Sequence, residues 1–215
     1  GPRIKRELDK SNIQSKFIRG LRVTDEKIIN IVESVLIDFN NDIVDSLKKF
    51  GTDAVSIHTK KNNIIKVTPE AKELGFVGIP NKIDNALIEK ILDKKQVPII
   101  SPLGLGNDNH PYNINGDTAA GAIAKSLKSR RLLLMTNVEG VLDKDKKLID
   151  EISSSEILKM IEDNTITEGM IPKINTCLDA VNNGVTAVGI IDGRKQHSIL
   201  FEIFSDKGSG TLIRK

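Results

Sequence analysis

Short apolar runs typical of strands alternate with amphipathic helical segments through the second half of this chain, and this alternation constrains the fold more than any other feature. The apolar runs are VPIIS (97–101), LLLM (132–135) and TAVGII (186–191). The helical spacings between and around them cover 118–128, 153–163 and 171–183, and Ser153 and Glu156 form a capping-box pattern at the start of the second of these. Such alternation is typical of a mostly parallel sheet covered on both faces. The sequence therefore predicts an α/β fold, with a three-layer open sheet and helices on both faces.

The first half of the chain has a less regular pattern. Thr24, Asp25 and Glu26 indicate a helix start, because a capping side chain and acids are favoured at the amino end of a helix. The apolar residues that follow keep one helical face: Ile28, Ile31, Val32, Val35 and Phe39. A second helical run after them is predicted to end at Gly51.

Two strand-like runs come next, AVSIHT (54–59) and IIKVT (64–68), and they flank KKNN. This pattern predicts a β-hairpin. Helical spacing returns over residues 83–95. Because the hairpin-containing half differs from the regular half that follows it, we predict two domains, 1–95 and 96–215.

Composition disfavours several classes of function. Lys and Arg number 32 against 29 Asp and Glu, and the formal charge of +3 is scattered along the chain, whereas a nucleic-acid interface needs clustered cations. A single cysteine excludes an internal disulfide and fits a reducing compartment. No apolar run approaches the roughly 18 residues that a membrane span requires. We therefore expect a cytoplasmic protein that binds neither nucleic acid nor membrane.

The common phosphate-binding and metal-binding motifs find no match. No Walker A sequence occurs, and GLGNDN (104–109) lacks the third glycine of a dinucleotide fingerprint. His58, His110 and His197 lie far apart in sequence without metal-ligand spacing, so no metal site is predicted. Cys177 lies on an apolar helical stripe and is predicted to be a core residue.

Ligands of parallel α/β sheets lie beyond the carboxyl ends of the strands, so the loops after Ile100 and Met135 are candidate sites, together with the one after Ile191. In the first of these loops, Asn113, Asn115 and Asp117 directly precede a predicted helix. Two interpretations stay open here. In the first, Asp117 caps the helix while the asparagines make turns. In the second, these polar groups surround a substrate.

Two further segments carry polar groups beside turns or helix starts. TNVEGVLDKD (136–145) follows a buried strand, and Gly140 permits tight backbone geometry near a ligand. In TITEGMIPKIN (165–175), Pro172 and Lys173 stand in the first turn of a helix. A cation there opposes the helix dipole, so its natural partner is an anion that the helix terminus also attracts. A solvated surface lysine is the alternative.

Four ordered segments resemble the N-acetylglutamate kinases of the amino-acid kinase family: GLRVT (20–24), NINGDTAAGAIA (113–124), TNVEGVLD (136–143) and GMIPKI (169–174). The resemblance runs across nearly the whole chain. It implies transfer of the γ-phosphoryl group of ATP, with Mg²⁺ bound through the nucleotide, to the side-chain carboxylate of N-acetyl-L-glutamate in arginine biosynthesis. It also implies an open α/β sheet with an acceptor lobe followed by a nucleotide lobe, and a homo-oligomer.

The resemblance assigns roles to particular residues. It implies that Arg22 holds the α-carboxylate of the acceptor, with Asn113 and Gly1 also on the acceptor side. Lys173 would neutralise charge on the transferring phosphoryl, and Asp117 would orient the catalytic lysines. The residues matching the family's nucleotide segments are Asn137, Val138, Glu139, Gly140, Val141, Leu142, Thr165, Ile166 and Thr167.

The tail resembles the members of the family that arginine inhibits. There His197, Glu202 and Gly208 occupy the places of the arginine effector site; an apolar segment closing on the sheet is the alternative. The resemblance further implies that the chain begins inside a glycine-rich turn, lacks the first catalytic lysine, and is by itself weakly active or inactive. Two other functions stay open: an arginine-binding regulatory module without phosphoryl transfer, and a relative with a different acceptor.

Overall fold

The computed structural model describes residues 1–166, 170–205 and 208–215. Its α-helices are α1 (Pro2–Lys10), α2 (Glu26–Lys49), α3 (Asn85–Asp93), α4 (Gly116–Ser126), α5 (Ser154–Glu162), α6 (Ile171–Asn182) and α7 (Ser198–Phe204). Its strands are β1 (Phe17–Ile18), β2 (Leu21–Arg22), β3 (Ala54–Ile57), β4 (Ile65–Pro69), β5 (Gly78–Ile83), β6 (Val97–Ile100), β7 (Leu103–Leu105), β8 (Pro111–Asn113), β9 (Arg131–Thr136), β10 (Glu151–Ser153), β11 (Ala187–Asp192) and β12 (Gly210–Arg214). The α/β class predicted from the sequence is confirmed.

The two helical runs predicted before Gly51 form one helix of 24 residues, α2, so the prediction of two runs was wrong. Asp25 caps α2, because its carboxylate accepts the backbone N–H of Ile28 at 2.9 Å. The helix continues through Asn40, whose buried side-chain amide donates to the carbonyl of Ile99 at 2.7 Å. Because its side-chain amide is hydrogen-bonded to a neighbouring strand, this asparagine does not compete for the hydrogen bonds of the helical backbone. It therefore does not break the helix.

The predicted hairpin of residues 54–68 does not form. Its turn exists, because His58 and Lys61 exchange two backbone hydrogen bonds of 2.9 and 3.0 Å. The strands on either side then diverge: β3 pairs in parallel with β6, whereas β4 pairs with β5 and β7. Three of the four residues of β3 are buried, and burial on both faces is typical of a strand in parallel pairing rather than of an exposed hairpin.

The chain forms two compact units, residues 1–119 and 120–215, and the division falls inside α4. The first unit contains the β5-β4-β7-β8 sheet, the β3-β6 pair and the β1-β2 pair. One of its core clusters joins α1 and α2 to β7, through Ile4, Leu8, Ile28, Val32 and Leu103. The assignment of residues 1–95 to the acceptor and 96–215 to the nucleotide stays a prediction.

The second unit is built on the sheet β10-β12-β11-β9. Here β9 runs parallel to β11, and β12 runs antiparallel to β11. All six residues of β11 are buried, and helices α4, α5 and α6 contribute apolar side chains to the same core. Cys177 is buried in this core, as predicted. Among the described residues, no helix is both long and apolar enough to cross a membrane.

The capping box predicted for Ser153 and Glu156 is present at the start of α5. The Ser153 hydroxyl accepts from the Glu156 backbone at 3.3 Å, and the Glu156 carboxylate accepts the Ser153 backbone N–H at 2.9 Å. The Ser153 hydroxyl also donates to the Glu156 carboxylate at 2.6 Å, and this bond, followed by the one from the Ser153 backbone, lowers the pKa of Glu156. Two otherwise unpaired backbone donors are satisfied, which fixes where α5 begins.

Candidate active site

Arg22 ends the short hairpin of β1 and β2 in the first unit. Its guanidinium lies over the ring of Phe17, 4.7 Å from the ring centre, and donates a hydrogen bond to the hydroxyl of Ser15. Partial burial lowers the pKa of Arg22 somewhat, although the side chain stays cationic. These contacts restrict the direction of the planar guanidinium group.

A ladder of backbone hydrogen bonds connects the Arg22 strand to Asn113. The Phe76 N–H donates to the carbonyl of Thr24 at 2.7 Å, and the Asn113 N–H donates to the carbonyl of Phe76 at 2.9 Å. Gly75 permits this approach, because a Cβ there would lie 2.3 Å from the Thr24 carbonyl oxygen and its φ is +66°. The predicted acceptor residues therefore stand on neighbouring backbone segments of one unit.

Gly1 lies within electrostatic range of Arg22. The three residues assigned to the acceptor from sequence lie in the first unit, and the backbone ladder from Asn113 reaches Thr24, two residues after Arg22.

Asn115, and not Asp117, caps helix α4. The Asn115 side-chain oxygen accepts the backbone N–H groups of Asp117 at 2.9 Å and of Thr118 at 3.2 Å. The interpretation in which Asp117 caps the helix was therefore wrong, and α4 begins at Gly116 rather than at 118. The half-buried Asp117 carboxylate is not used for capping, and Asn115 acquires a structural role.

The predicted nucleotide segment 137–142 divides into exposed and packed positions. Asn137 and Glu139 are exposed, whereas Gly140 and Val141 are buried. The Val141 N–H donates to the Thr211 hydroxyl at 2.8 Å, and a Cβ at Gly140 would lie 2.5 Å from that same oxygen. Gly140 is therefore required for a close approach within the protein. Val138 is half-buried and Leu142 is 38% exposed.

The second predicted nucleotide segment begins at Thr165. Its hydroxyl donates to the carboxylate of Asp163, which also binds Lys144 at 2.8 Å. These bonds lower the pKa of Asp163 to about 2, and the hydrogen bond from Lys144 has the largest effect on it. Ile166 is a core residue, so only its backbone could face a ligand. Thr167 lies outside the described residues.

Lys173 stands in the first turn of α6 and is half-buried. Pro172 occupies one of the first positions of this helix, and the N-cap residue, Met170, makes no side-chain capping bond. The first-turn N–H groups and the lysine together attract an anion. The sequence prediction of this helix start is confirmed.

The structure brings Glu202 and Gly208 together. A Cβ at Gly208 would lie 2.7 Å from a Glu202 oxygen, and the same oxygen accepts the Ser209 N–H at 2.9 Å. The two residues line a pocket of about 340 Å³, to which Asp150 and Glu151 add two more carboxylates. His197 is not among the residues lining it; His197 lines an apolar groove with Leu200, Phe201 and Phe204.

One pair in the second unit was missed from the sequence: the buried Asp192 and the arginine two residues later, Arg194. The loop after Ile191 had been marked as a candidate site by its position after a strand. The signal that could have identified the pair is a carboxylate as the last residue of an otherwise apolar strand, followed by glycine and arginine. A buried carboxylate needs a charged partner.

Comparison with known proteins identifies the family. Residues 1–192 match the model of the amino acid kinase family. The chain is 55% identical over 215 residues to the acetylglutamate kinase of Pelagibacter ubique, spanning all of this chain and 75% of that protein. It superposes on the crystal structure of smu.665 from Streptococcus mutans with a TM-score of 0.84 at 30% identity, covering all of this chain and 82% of that one.

A more distant structure shares the fold. The N-acetylglutamate synthase of Neisseria gonorrhoeae, solved with coenzyme A and N-acetyl-glutamate, superposes with a TM-score of 0.88 at 24% identity. The match covers 99% of this chain and 49% of that protein. The family model, the relatives and the fold agree with the four ordered motifs read from the sequence, and this chain belongs to the amino acid kinase family.

Proposed function

We propose that this chain acts as an acetylglutamate kinase, which transfers the γ-phosphoryl group of ATP to the side-chain carboxylate of N-acetyl-L-glutamate. The observation that carries the proposal is the 55% identity, over all 215 residues, to a protein named acetylglutamate kinase. The side chains fit this substrate. A guanidinium at Arg22 suits a carboxylate, and the Asn113 amide suits a polar acceptor group.

In the proposed reaction, one oxygen of the acceptor's side-chain carboxylate attacks the γ-phosphorus of ATP. The bond from that phosphorus to the bridging oxygen breaks, ADP leaves, and an acyl phosphate forms. Because the nucleophile is already an anion, no general base is needed. The protein's contribution is alignment and stabilisation of charge on the transferring group.

The proposed roles follow the sequence assignments. Arg22 and Asn113 hold the acceptor, so that its second carboxylate is free to react. Lys173 neutralises charge that develops on the phosphoryl oxygens, and Asp117 orients the catalytic lysine. The exposed polar groups of Asn137, together with the backbone of segment 165–167, bind the nucleotide.

Magnesium fits this scheme as a companion of the nucleotide. Within residues 1–166, 170–205 and 208–215, no cluster of three or more His, Cys, Asp or Glu side chains could hold a metal ion. Carboxylates and phosphates are the ligands that Mg²⁺ prefers, so phosphate oxygens would supply most of its ligands. When bound, the ion would offset phosphate charge, and Lys173 would add to that effect.

The proposal is tested by comparing acceptors. Acceptor-dependent ADP release should be fastest with N-acetyl-L-glutamate when it is measured beside L-glutamate, carbamate, UMP and isopentenyl phosphate. The ranking does not depend on the absolute rate. Calorimetry should also detect binding of N-acetyl-L-glutamate. A faster rate with any other acceptor would show that the acceptor is wrongly assigned.

We further propose that arginine binds the pocket beside Glu202 and inhibits the enzyme. The support is the set of carboxylates that line the pocket, those of Glu202, Asp150 and Glu151, because carboxylates match a guanidinium. Two of them already pair with cations of the same pocket, Glu202 with Arg131 at 3.7 Å and Glu151 with Arg214 at 3.1 Å, so bound arginine would compete with these side chains. Arginine binding without turnover of any acceptor would instead favour a regulatory module. We also propose a cytoplasmic location, because a single cysteine fits a reducing compartment.

Replacing Glu202 with glutamine should weaken arginine binding about 10-fold, because the substitution removes one charge-assisted hydrogen bond while it keeps the side-chain shape. Calorimetry with L-arginine measures this effect. Glu162→Gln, on an exposed position of α5, is the matched control and should leave arginine affinity unchanged. Equal arginine affinity in Glu202→Gln and the unaltered chain would exclude this pocket as the effector site.

A further inference from the structure

Among the described residues, Asp192 carries the most deeply buried acidic group that the proposed function leaves unused. Asp192 is the last residue of β11 and is only 2% exposed. A buried carboxylate costs free energy unless it is ionised beside a partner and fully hydrogen-bonded. Asp192 meets this requirement chiefly through Arg194.

Arg194 binds Asp192 by a fork of two bonds. Its Nε donates to one carboxylate oxygen at 2.9 Å, its Nη2 donates to the other at 2.8 Å, and its backbone N–H donates to the first at 2.9 Å. The hydrogen bonds from Arg194 lower the pKa of Asp192 to about 2, and the same interaction raises the pKa of Arg194. Both groups therefore stay charged at neutral pH, and the guanidinium plane has a fixed direction.

The outer edge of this guanidinium is accessible. The Arg194 side chain is 64% exposed, against 3% for that of Asp192. Within the part of the chain that the structure describes, Nη1 makes no hydrogen bond. An arginine is thus anchored on its inner edge, and its remaining donors face outward from the carboxyl end of β11.

This edge lies next to the predicted nucleotide segment. Asp192 pairs with Thr136 across β11 and β9, and the Gly193 N–H donates to the Thr136 carbonyl at 2.8 Å. Lys195 then binds Glu139 of that segment at 3.3 Å. The charge of Glu139 also acts on Arg194. Two cations of the loop after β11 therefore flank the residues that follow β9, where ligands of such sheets lie.

We propose that Arg194 is a further nucleotide-binding residue, which contacts the phosphate groups through its outer edge, and that Asp192 is the positioning residue that holds it there. The inference rests on the proposed function, because it takes segment 137–142 as the nucleotide site. A guanidinium pre-oriented by a buried carboxylate loses little freedom on binding, and it matches the geometry of phosphate oxygens.

Calorimetry on the whole chain with ATP, ADP and adenosine tests the proposal. Arg194→Gln should weaken binding of ATP about 10-fold and leave binding of adenosine within about 2-fold, because only the phosphates meet the guanidinium. Arg194→Lys should give an intermediate loss, since it keeps the charge and loses the fork. Arg130→Gln, an exposed arginine at the amino end of β9, is the matched control and should bind as the unaltered chain does.

Asp192→Asn should reproduce the ATP-selective loss if it folds, which circular dichroism and a thermal melt would show. If Asp192→Asn does not fold, the variants at the exposed Arg194 still decide the test. Unchanged ATP affinity in Arg194→Gln overturns the proposal, and so does an equal loss for ATP and adenosine, which would mean that Arg194 only supports the loop. Failure of the unaltered chain to bind ATP would instead count against the proposed function itself.

Discussion

Replacing Lys173 with alanine is expected to lower the rate of phosphoryl transfer by about 100-fold or more. The reason is that Lys173, in the first turn of α6, supplies positive charge where negative charge builds up in the transition state. Binding of the nucleotide should change much less, because an interaction made mainly in the transition state affects the rate rather than ground-state affinity. Acceptor-dependent ADP release, relative to the unaltered chain, measures the first quantity, and calorimetry measures the second.

Lys159→Ala is the control for this experiment, because Lys159 is an exposed lysine of the neighbouring helix α5. It should leave both the rate and the affinity unchanged. Lys173→Arg should retain part of the rate, since it keeps the charge and changes its shape. A Lys173→Ala rate within 3-fold of the unaltered chain would contradict the proposed role and favour a solvated surface lysine.

Replacing Arg22 with alanine is expected to weaken binding of N-acetyl-L-glutamate about 10- to 100-fold, because the variant loses a charge-assisted hydrogen-bonding fork to the acceptor's carboxylate. Arg22→Lys should recover only part of this affinity, since an ammonium group cannot form the fork. Calorimetry with N-acetyl-L-glutamate measures the effect. Unchanged nucleotide affinity in the same variant would show that the second unit is intact.

Arg19→Ala is the matched control, because Arg19 lies in the same hairpin with its side chain 80% exposed and paired with Glu73. It should bind N-acetyl-L-glutamate like the unaltered chain. Full acceptor affinity in Arg22→Ala would mean that Arg22 only holds Phe17 and Ser15, and the acceptor would then have to bind elsewhere in the first unit.

Sequence patterns over a few residues were sufficient to predict structure where the interacting groups are close together in the sequence. The capping box at Ser153 and the start of α2 at Asp25 depend on bonds between residues three positions apart. The apolar spacing that placed Cys177 in the core depends only on helical periodicity. Such features can be read from a single sequence because all the groups involved are in it, a few positions apart.

The same kind of pattern failed where a segment distant in sequence binds the hydrogen-bonding groups of a strand or helix. The turn at His58–Lys61 is hairpin-like, but β3 finds its partner in β6, about forty residues later. The helix α2 passes through Asn40 because carbonyls of β3 and β6 accept its amide. The sequence around each position gives no information about these partners, so the predicted hairpin and helix break were wrong.

The sequence by itself determined the α/β class, helices α4, α5 and α6 with strands β6, β9 and β11, and the family, because these depend on periodicity and on ordered motifs. Only the tertiary structure decided which polar residues support the fold and which remain for a ligand. It assigned the helix cap to Asn115 instead of Asp117, packed Val141 and Ile166 into the core, and paired Asp192 with Arg194. The reason is physical: a buried polar group must be satisfied, and its partner is fixed by distance in space rather than by spacing in sequence.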